Sequence, residues 1–310
     1  MKIWSNIVVG GGLSGLLLAK RLKSLGQEVL IIDKARSVGG RMATRRDEDS
    51  SYDHGAQFSS LDLSNLSDAF SPGIWIPWTQ YGSKELYNVQ NGINKAAKFL
   101  ASNLELALNQ KVVSLKIDKE VNLFAESGEE FRSKRVFLTC PMPQICDLLK
   151  SSQIDCPKDL SDISYAKALV GLFRLDSNHS SLINFKYFEP QGCDIFSISN
   201  QMSKGVSQNL SFSIVMNPNF SDEYFENDDL EALSVVENNL VRFFNNHLNL
   251  NEKDYKIIRS QLKKWRYSHP INPLGKDSYE LIPQKVVILG DGCSGGSLVS
   301  VARSVLRIGL

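Results

Sequence analysis

The chain has 310 residues with 35 Lys or Arg and 34 Asp or Glu, so its formal net charge is +1. A 42% hydrophobic fraction at this length is enough for about two folded domains and excludes a disordered chain. The even charge balance argues against a nucleic-acid binder, because such proteins carry a clear basic excess. Its apolar stretches are too short for a membrane span, and the N-terminus lacks the pattern of a signal peptide, so we expect a cytoplasmic protein.

The first elements are a strand, a glycine-rich turn, a helix and a second strand. Residues 7–9 form an apolar, β-branched run typical of a strand that is buried on both faces. A Gly-x-Gly-x-x-Gly motif at residues 10–15 leads into a helix that Gly26 ends. The next apolar run, residues 29–32, ends at Asp33. This order is that of a dinucleotide-binding βαβ unit.

Each part of this unit has a physical reason. Gly10 permits a tight turn, Gly12 lets the backbone approach a pyrophosphate, and Gly15 lets the helix pack closely on the strand. The helix N-terminus offers free N–H groups to the phosphates, and Asp33 would accept hydrogen bonds from ribose hydroxyls. The motif leaves both NAD and FAD open as the ligand.

The segment after the second strand favours FAD. Gly39 and Gly40 would admit the backbone close to a cofactor, and Arg41 would add a forked cation at the pyrophosphate. This doublet with its arginine resembles the flavoprotein amine oxidase superfamily, in which it marks FAD rather than NAD binding. Arg45 and Arg46, which three acids follow, are interpreted as a solvated basic loop.

Later blocks resemble the renalase-like branch of that superfamily, in the same order along nearly the whole chain. The first of them reads Tyr-Asp-His-Gly-Ala-Gln-Phe at residues 52–58. The others lie at residues 89–93, 138–143, 164–166, 264–268 and 290–292. The resemblance implies an α/β fold. Its Rossmann-like FAD-binding domain is of the glutathione-reductase/p-hydroxybenzoate-hydroxylase type, with an inserted α+β substrate domain built on an antiparallel sheet.

The remaining elements are predicted from periodicity. Helices are expected at 93–103 and 144–149, with prolines 141 and 143 interrupting the chain before the second, and strands at 111–117, 121–125 and 135–139. Runs at 168–175, 185–188, 195–198 and 210–216 predict an antiparallel sheet. After an acidic stretch, a helix is expected to bury Leu230, Leu233, Val236, Leu240 and Phe244 on one face. A strand at 286–289 and a helix from about residue 297 end the chain.

Two discontinuous domains follow from these elements and the resemblance. The FAD-binding domain would comprise residues 1–60, 88–150 and 275–310, and the substrate domain residues 61–87 and 151–274. The five cysteines include no Cys-x-x-Cys pair and are expected to be reduced and buried. The four histidines include no His-Glu-x-x-His motif, so no metal site is predicted.

The motifs and the resemblance together assign the residues around a non-covalently bound FAD. The predicted cofactor contacts are Gly10, Gly12, Ser14, Gly15, Asp33, Lys34, Gly40, Arg41, Met42, Gly55, Ala56, Gln57, Phe58, Val113, Gly290 and Asp291. Gln57 and Phe58 are expected at the flavin ring, and Gln57 and Trp265 in the substrate pocket. His54 is expected to be structural. One departure from the superfamily is that Val299 and Ser300 replace the Glu-Gly pair that usually opens the last helix, which removes the glycine beneath the flavin ring.

No catalytic side chain is predicted, because no nucleophile has a base at a recognisable spacing. In a flavoenzyme the cofactor carries the chemistry at its N5 atom. The resemblance implies oxidation of a reduced nicotinamide, a dihydro-NAD(P) isomer, with electrons passing to oxygen to give hydrogen peroxide. The alternatives are a flavin amine oxidase or isoprenoid desaturase, a flavin-binding sensor without turnover, and an NAD-dependent dehydrogenase.

Overall fold

The computed structural model describes residues 2–70 and 72–310. Its strands are, in chain order, β1 Ile3–Val9, β2 Val29–Ile32, β3 Thr44–Arg46, β4 Ser51–Asp53, β5 Ile76–Tyr81, β6 Lys84–Asn88, β7 Glu105–Ala107, β8 Val112–Ile117, β9 Val121–Ala125, β10 Glu130–Leu138, β11 Tyr165–Asp176, β12 Tyr187–Phe188, β13 Ile195–Asn200, β14 Ser211–Met216, β15 Lys256–Pro270, β16 Ser278–Ile282 and β17 Val286–Leu289. Its helices are α1 Leu13–Ser24, α2 Asn94–Ala101, α3 Met142–Ser151, α4 Lys158–Ser161, α5 Ser180–Ile183, α6 Pro218–Tyr224, α7 Asp229–Leu248, α8 Asp291–Ser294 and α9 Leu298–Arg307.

A mixed sheet contains the N-terminal βαβ unit. Its strands follow the order β16-β17-β10-β1-β2-β7, and β9 and β8 fold back antiparallel beside β10. Strands β17, β10, β1, β2 and β7 run parallel to one another. The strand β17 pairs with β10, so the C-terminal part of the chain returns to the N-terminal sheet.

Helices cover both faces of this sheet. Val8 of β1 lies in a core formed with α1, α2 and α9, whereas its neighbours Ile7 and Val9 lie in a core formed with α3 and α4. Because successive residues of a strand point to opposite faces, burial on both sides requires a continuous apolar run. The sequence of β1 has this property.

The second sheet is antiparallel, with the order β12-β13-β14-β11-β15. One face packs on α6 and α7 through a core that includes Phe173, Leu240 and Phe244. The other face turns toward the N-terminal unit, where Tyr52 packs on Val170 and Leu172 of β11. The predicted α/β fold with a second, antiparallel sheet is therefore confirmed.

Several local predictions were wrong. Leu230 is 77% exposed, because it lies in the first turn of α7, where Asp228 caps the helix. The helix α3 begins at Met142, so Pro143 belongs to its first turn, where a proline is tolerated. The strand β12 is only two residues long. Cys193 is exposed, so the prediction that the cysteines are buried fails there.

Within residues 2–70 and 72–310, no helix combines the length and the apolarity needed to cross a membrane. The same residues contain no group of three or more His, Cys, Asp or Glu side chains arranged to hold a metal ion.

We predict that Gly15→Ala destabilises the fold much more than Gly12→Ala. A Cβ at Gly15 would lie 2.0 Å from the Gly10 carbonyl oxygen, whereas a Cβ at Gly12 would have no heavy atom within 4 Å. Overpacking of this kind costs about 1–3 kcal/mol or more, and the control change should stay within about 0.5 kcal/mol. Urea unfolding midpoints measure both. Equal midpoints for the two variants would contradict the close packing of α1 on β1.

Candidate functional site

A cavity of about 1330 Å³ lies between the glycine-rich turn and the antiparallel sheet. Its lining includes Val9, Ile32 and Thr139, which lie at or just beyond the carboxyl ends of β1, β2 and β10. In open α/β sheets, ligands bind at this edge of the strands. The volume exceeds the roughly 300–1,000 Å³ of an ordinary small-molecule site, so the cavity has room for a large ligand.

Most of the residues predicted from the sequence line this cavity. They are Gly10, Gly12, Ser14, Asp33, Lys34, Gly40, Arg41, Met42, Gly55, Ala56, Gln57, Phe58, Val113, Trp265 and Asp291. Gly15 and Gly290 lie outside this lining, and their assignment as cofactor contacts stays a prediction. Gly15 serves the packing of α1, and Gly290, with φ of +127°, forms the turn that brings Asp291 from β17 to the cavity.

The start of α1, just after the glycine-rich turn, offers N–H groups to an anion. The helix α1 begins after Gly12, and no side chain of residues 2–70 and 72–310 caps its N-terminus. The turn at Gly39 and Gly40 packs against Gly12, where a Cβ at Gly40 would lie 3.3 Å from the Gly12 Cα. The space around Gly12 itself is open. An open cradle at an uncapped helix N-terminus fits the pyrophosphate of a dinucleotide.

Backbone N–H groups hold the Asp33 carboxylate in place at the end of β2. Its Oδ2 accepts a hydrogen bond from the Gly11 N–H at 2.5 Å, and its Oδ1 accepts one from the Ala35 N–H at 2.7 Å. Each carboxylate oxygen keeps a further lone pair. Asp33 can therefore still accept hydrogen bonds from the hydroxyls of a ribose in the cavity.

Arg41 is ion-paired with Asp291. The Arg41 Nη1 lies 2.6 Å from the Asp291 Oδ2 and also donates to the Ser268 carbonyl oxygen at 3.1 Å. The Tyr165 hydroxyl donates to the Asp291 Oδ1 at 3.2 Å, and Asp291 is 4% exposed. The three Arg41 contacts to Asp291, Ser268 and Tyr267 all use Nη1. Since a guanidinium has five N–H donors, Arg41 can bridge Asp291 and an anion.

His54 and Trp265 form a stacked pair at the cavity wall, with ring centroids 5.4 Å apart. The indole N–H of Trp265 donates to the His54 carbonyl oxygen at 2.7 Å, which fixes β15 against the end of β4. Burial, with a smaller effect of the nearby Lys263, lowers the pKa of His54 to about 4. His54 is therefore neutral near pH 7 and does not add charge to the site.

A buried ion pair behind the cavity is absent from the sequence-based predictions. The Lys204 Nζ lies 2.9 Å from the Asp53 Oδ2, and the two side chains are 0% and 1% exposed. Gln57 joins this network, since its Nε2 donates to the Asp53 carbonyl oxygen and its Oε1 accepts from Ser199. Gln57 lines the cavity, and its amide is bonded to the protein. Lys204 lies in a polar loop, and no signal in the sequence marks it as buried.

The antiparallel sheet supplies the other half of the cavity wall. Five residues of this half line the cavity without having been predicted as site residues: Lys167, Tyr187, Glu189, Phe196 and Arg266. The Tyr187 hydroxyl donates to a Glu189 carboxylate oxygen, and burial raises the pKa of Tyr187. This half combines aromatic surface with charges of both signs, so it can hold a ring together with a charged group.

The last helix begins beside the cavity with a serine cap. The Ser297 Oγ accepts a hydrogen bond from the Ser300 N–H at 3.0 Å, and the Ser300 hydroxyl donates to the Gly295 carbonyl oxygen at 2.9 Å. Val299 lines the cavity. The Val-Ser pair that departs from the superfamily pattern therefore places an apolar side chain at the wall and uses the serine in local hydrogen bonds.

Comparison with known proteins agrees with the fold. Residues 8–71 match the family model of the NAD(P)-binding Rossmann-like domain. The structure is similar to that of a proposed protoporphyrinogen oxidase from Exiguobacterium sp. 255-15, with a TM-score of 0.74 and 12% identity over 98% of this chain and 97% of that one. It is also similar to a wild-type putrescine oxidase bound to putrescine, with a TM-score of 0.72 and 12% identity over 99% and 98% of the two chains.

We predict a pH dependence of stability that is due to His54. The pKa of His54 is about 4 in the folded protein and has its ordinary value of 6.5 in the unfolded chain. Between these two pH values the unfolded state therefore binds more protons than the folded state. Stability attributable to His54 is therefore present above about pH 6.5 and is lost as the pH falls toward 4. The loss from about pH 7.5 to about pH 5 is about 2 kcal/mol.

Urea unfolding of the parent protein and of His54→Gln at both pH values measures this effect. The variant should lose about 2 kcal/mol less than the parent over the same interval. An identical loss in the two proteins would show that His54 is not held neutral by burial.

Proposed function

We propose that the protein is an FAD-dependent oxidoreductase of the renalase-like type. It would take a hydride from a reduced nicotinamide, a dihydro-NAD(P) isomer, or from a similar small donor. The observation that supports this most is that one cavity joins a dinucleotide cradle to a wall of aromatic and charged side chains. In that arrangement a bound dinucleotide and a donor can meet within one cavity.

The residues that would hold FAD fall into two groups. The first turn of α1, with Gly12 at its start, and the guanidinium of Arg41 would bind the pyrophosphate. Asp33 would accept from the ribose of the adenosine, and Val113 of β8 would contact the adenine. FAD, bound non-covalently, would supply the hydride acceptor. In this proposal the FAD-binding domain keeps the boundaries predicted from the sequence, at residues 60, 88, 150 and 275.

The protein's own part in the reaction is orientation. Hydride transfer from a dihydropyridine carbon requires no general base, since two electrons and the hydrogen leave together and a pyridinium results. Trp265, Tyr187 and Phe58 provide aromatic surface against which a planar donor can lie. His54 is neutral and so does not oppose the positive charge that develops on the oxidised ring.

A second candidate is oxidation of an amine. Glu189 lines the cavity beside the ring of Tyr187, and a carboxylate next to an aromatic face suits an ammonium group. The similarity to a putrescine oxidase concerns the fold and leaves the donor open.

Anaerobic mixing distinguishes the two candidates. The FAD-loaded protein is mixed without oxygen with dihydro-NAD isomers and separately with a panel of primary amines and diamines. We expect the flavin absorbance to bleach with a dihydronicotinamide and to persist with the amines. When air is admitted, hydrogen peroxide should form in proportion to the donor consumed. Bleaching by amines alone would support the second candidate, and no bleaching by any dihydronicotinamide would contradict the first.

A further inference from the structure

The ammonium group of Lys204 is buried with one carboxylate close to it. Lys204 is fully buried, its Nζ lies 2.9 Å from the Asp53 Oδ2, and the ring centroid of Trp78 lies 5.4 Å from that Nζ. Burial of such a pair removes both charges from water, and this cost largely offsets their attraction. A pair of well-packed apolar side chains could stabilise the fold equally well. The use of an ion pair here therefore points to positioning rather than to stability.

Asp53 connects several distant segments through its remaining atoms. Its Oδ1 accepts hydrogen bonds from the Thr44 hydroxyl at 2.7 Å and from the Ile93 N–H, just before α2, at 3.0 Å. Its backbone N–H donates to the Gln201 Oε1 at 3.0 Å, and its carbonyl oxygen accepts from the Ser213 hydroxyl at 2.8 Å. Asp53 is thus tied both to the N-terminal unit and to the antiparallel sheet.

Gln57 closes the segment that follows Asp53. Its Nε2 donates to the Asp53 carbonyl oxygen at 2.8 Å, and its Oε1 accepts from Ser199 at 2.7 Å and lies 3.5 Å from the Lys204 Nζ. Lys204 therefore contacts both ends of the segment formed by residues 53–57. An ammonium donates in several directions at once, so a single side chain can hold both ends.

The same segment bridges the two halves of the cavity. The Ala56 N–H donates to the Arg41 carbonyl oxygen at 2.9 Å, and a Cβ at Gly55 would lie 1.9 Å from that oxygen. The ring of Phe58 packs edge-on against Tyr187 of the antiparallel sheet, with centroids 5.1 Å apart. Residues 55–58 therefore run from the dinucleotide cradle to the opposite wall.

We propose that Lys204 is a positioning residue that acts through Asp53 and Gln57 to fix residues 55–58 against the bound cofactor and its donor. The part of this inference that concerns the cofactor rests on the proposed function. The part that concerns the rigidity of residues 53–58 can be measured without any cofactor.

The test uses the full chain, a double variant and a matched control, and the loaded protein is also tested as Lys204→Arg. Lys204→Met alone leaves the Asp53 carboxylate buried without its cation, and that variant can unfold. The double variant Lys204→Met with Asp53→Asn removes both charges and keeps side chains of similar size. The control is the exposed pair Lys2 and Glu28, 3.2 Å apart, changed to Met and Gln in the same way.

In the unloaded protein, we expect amide hydrogen exchange at residues 53–58 to be about tenfold faster in the Lys204/Asp53 double variant than in the parent. In the same double variant, exchange in β2 should match the parent. In the Lys2/Glu28 control, exchange at residues 53–58 should also match the parent. Parent-like exchange at residues 53–58 in a folded double variant would overturn the proposal, whether or not the protein binds FAD.

In the loaded protein, the double variant should retain FAD but shift the flavin absorption maximum. Its anaerobic reduction should slow on the order of 10- to 100-fold, with a small change in the donor concentration that gives half the maximal rate. The single variant Lys204→Arg, which keeps the ion pair with Asp53, should retain most of the parent rate. A double variant with parent-like spectrum and reduction rate would overturn the positioning role. Failure of the parent itself to bind FAD or to be reduced would instead refute the proposed function.

Discussion

The contact between α1 and the end of β1 is the constraint on which the rest of the site depends. Gly15 lets the helix approach the Gly10 carbonyl so closely that no larger residue fits. This approach leaves the uncapped N-terminus of α1 at the carboxyl edge of the parallel strands. Asp33 after β2, Thr139 after β10 and Asp291 after β17 reach the same edge, because those strands run parallel beside β1. One close contact thus fixes both the anion cradle and the side chains around it.

The second sheet adds a wall to this cradle and so completes the cavity, and two ion pairs connect the two parts. The face of β11 that carries Val170 and Leu172 packs on Tyr52, just before the ion pair of Asp53 and Lys204. At the other side of the cavity, Arg41 pairs with Asp291 and reaches the backbone of β15. Each ion pair joins residues that are more than a hundred positions apart in the sequence. The site is therefore assembled from the tertiary fold and not from one local motif.

The features of the fold and the site that could be predicted are those set by residues close together in the sequence. The βαβ unit was readable, because the burial of β1 and the packing of Gly15 leave a local pattern. The burial of Lys204 was not readable, because it depends on Trp78, Asn88 and Asp53, while its neighbours in sequence are polar. The lining residue Glu189 was missed, because it lies in the loop after the short edge strand β12. Phe196 was missed, because the run of Ile, Phe and Ser in β13 does not indicate which face of the sheet turns toward the cavity. The exposure of Leu230 depends on the position where α7 begins, which periodicity alone does not give.

The glycine cradle is proposed to be an FAD site. Calorimetric titration of FAD and of NAD into the unloaded protein tests this, with Gly12→Val as the variant whose side chain fills the open cradle. We expect one FAD to bind per chain, NAD not to displace it, and Gly12→Val to remain folded without binding FAD. Binding of NAD in place of FAD, or undiminished FAD binding by Gly12→Val, would refute the FAD site.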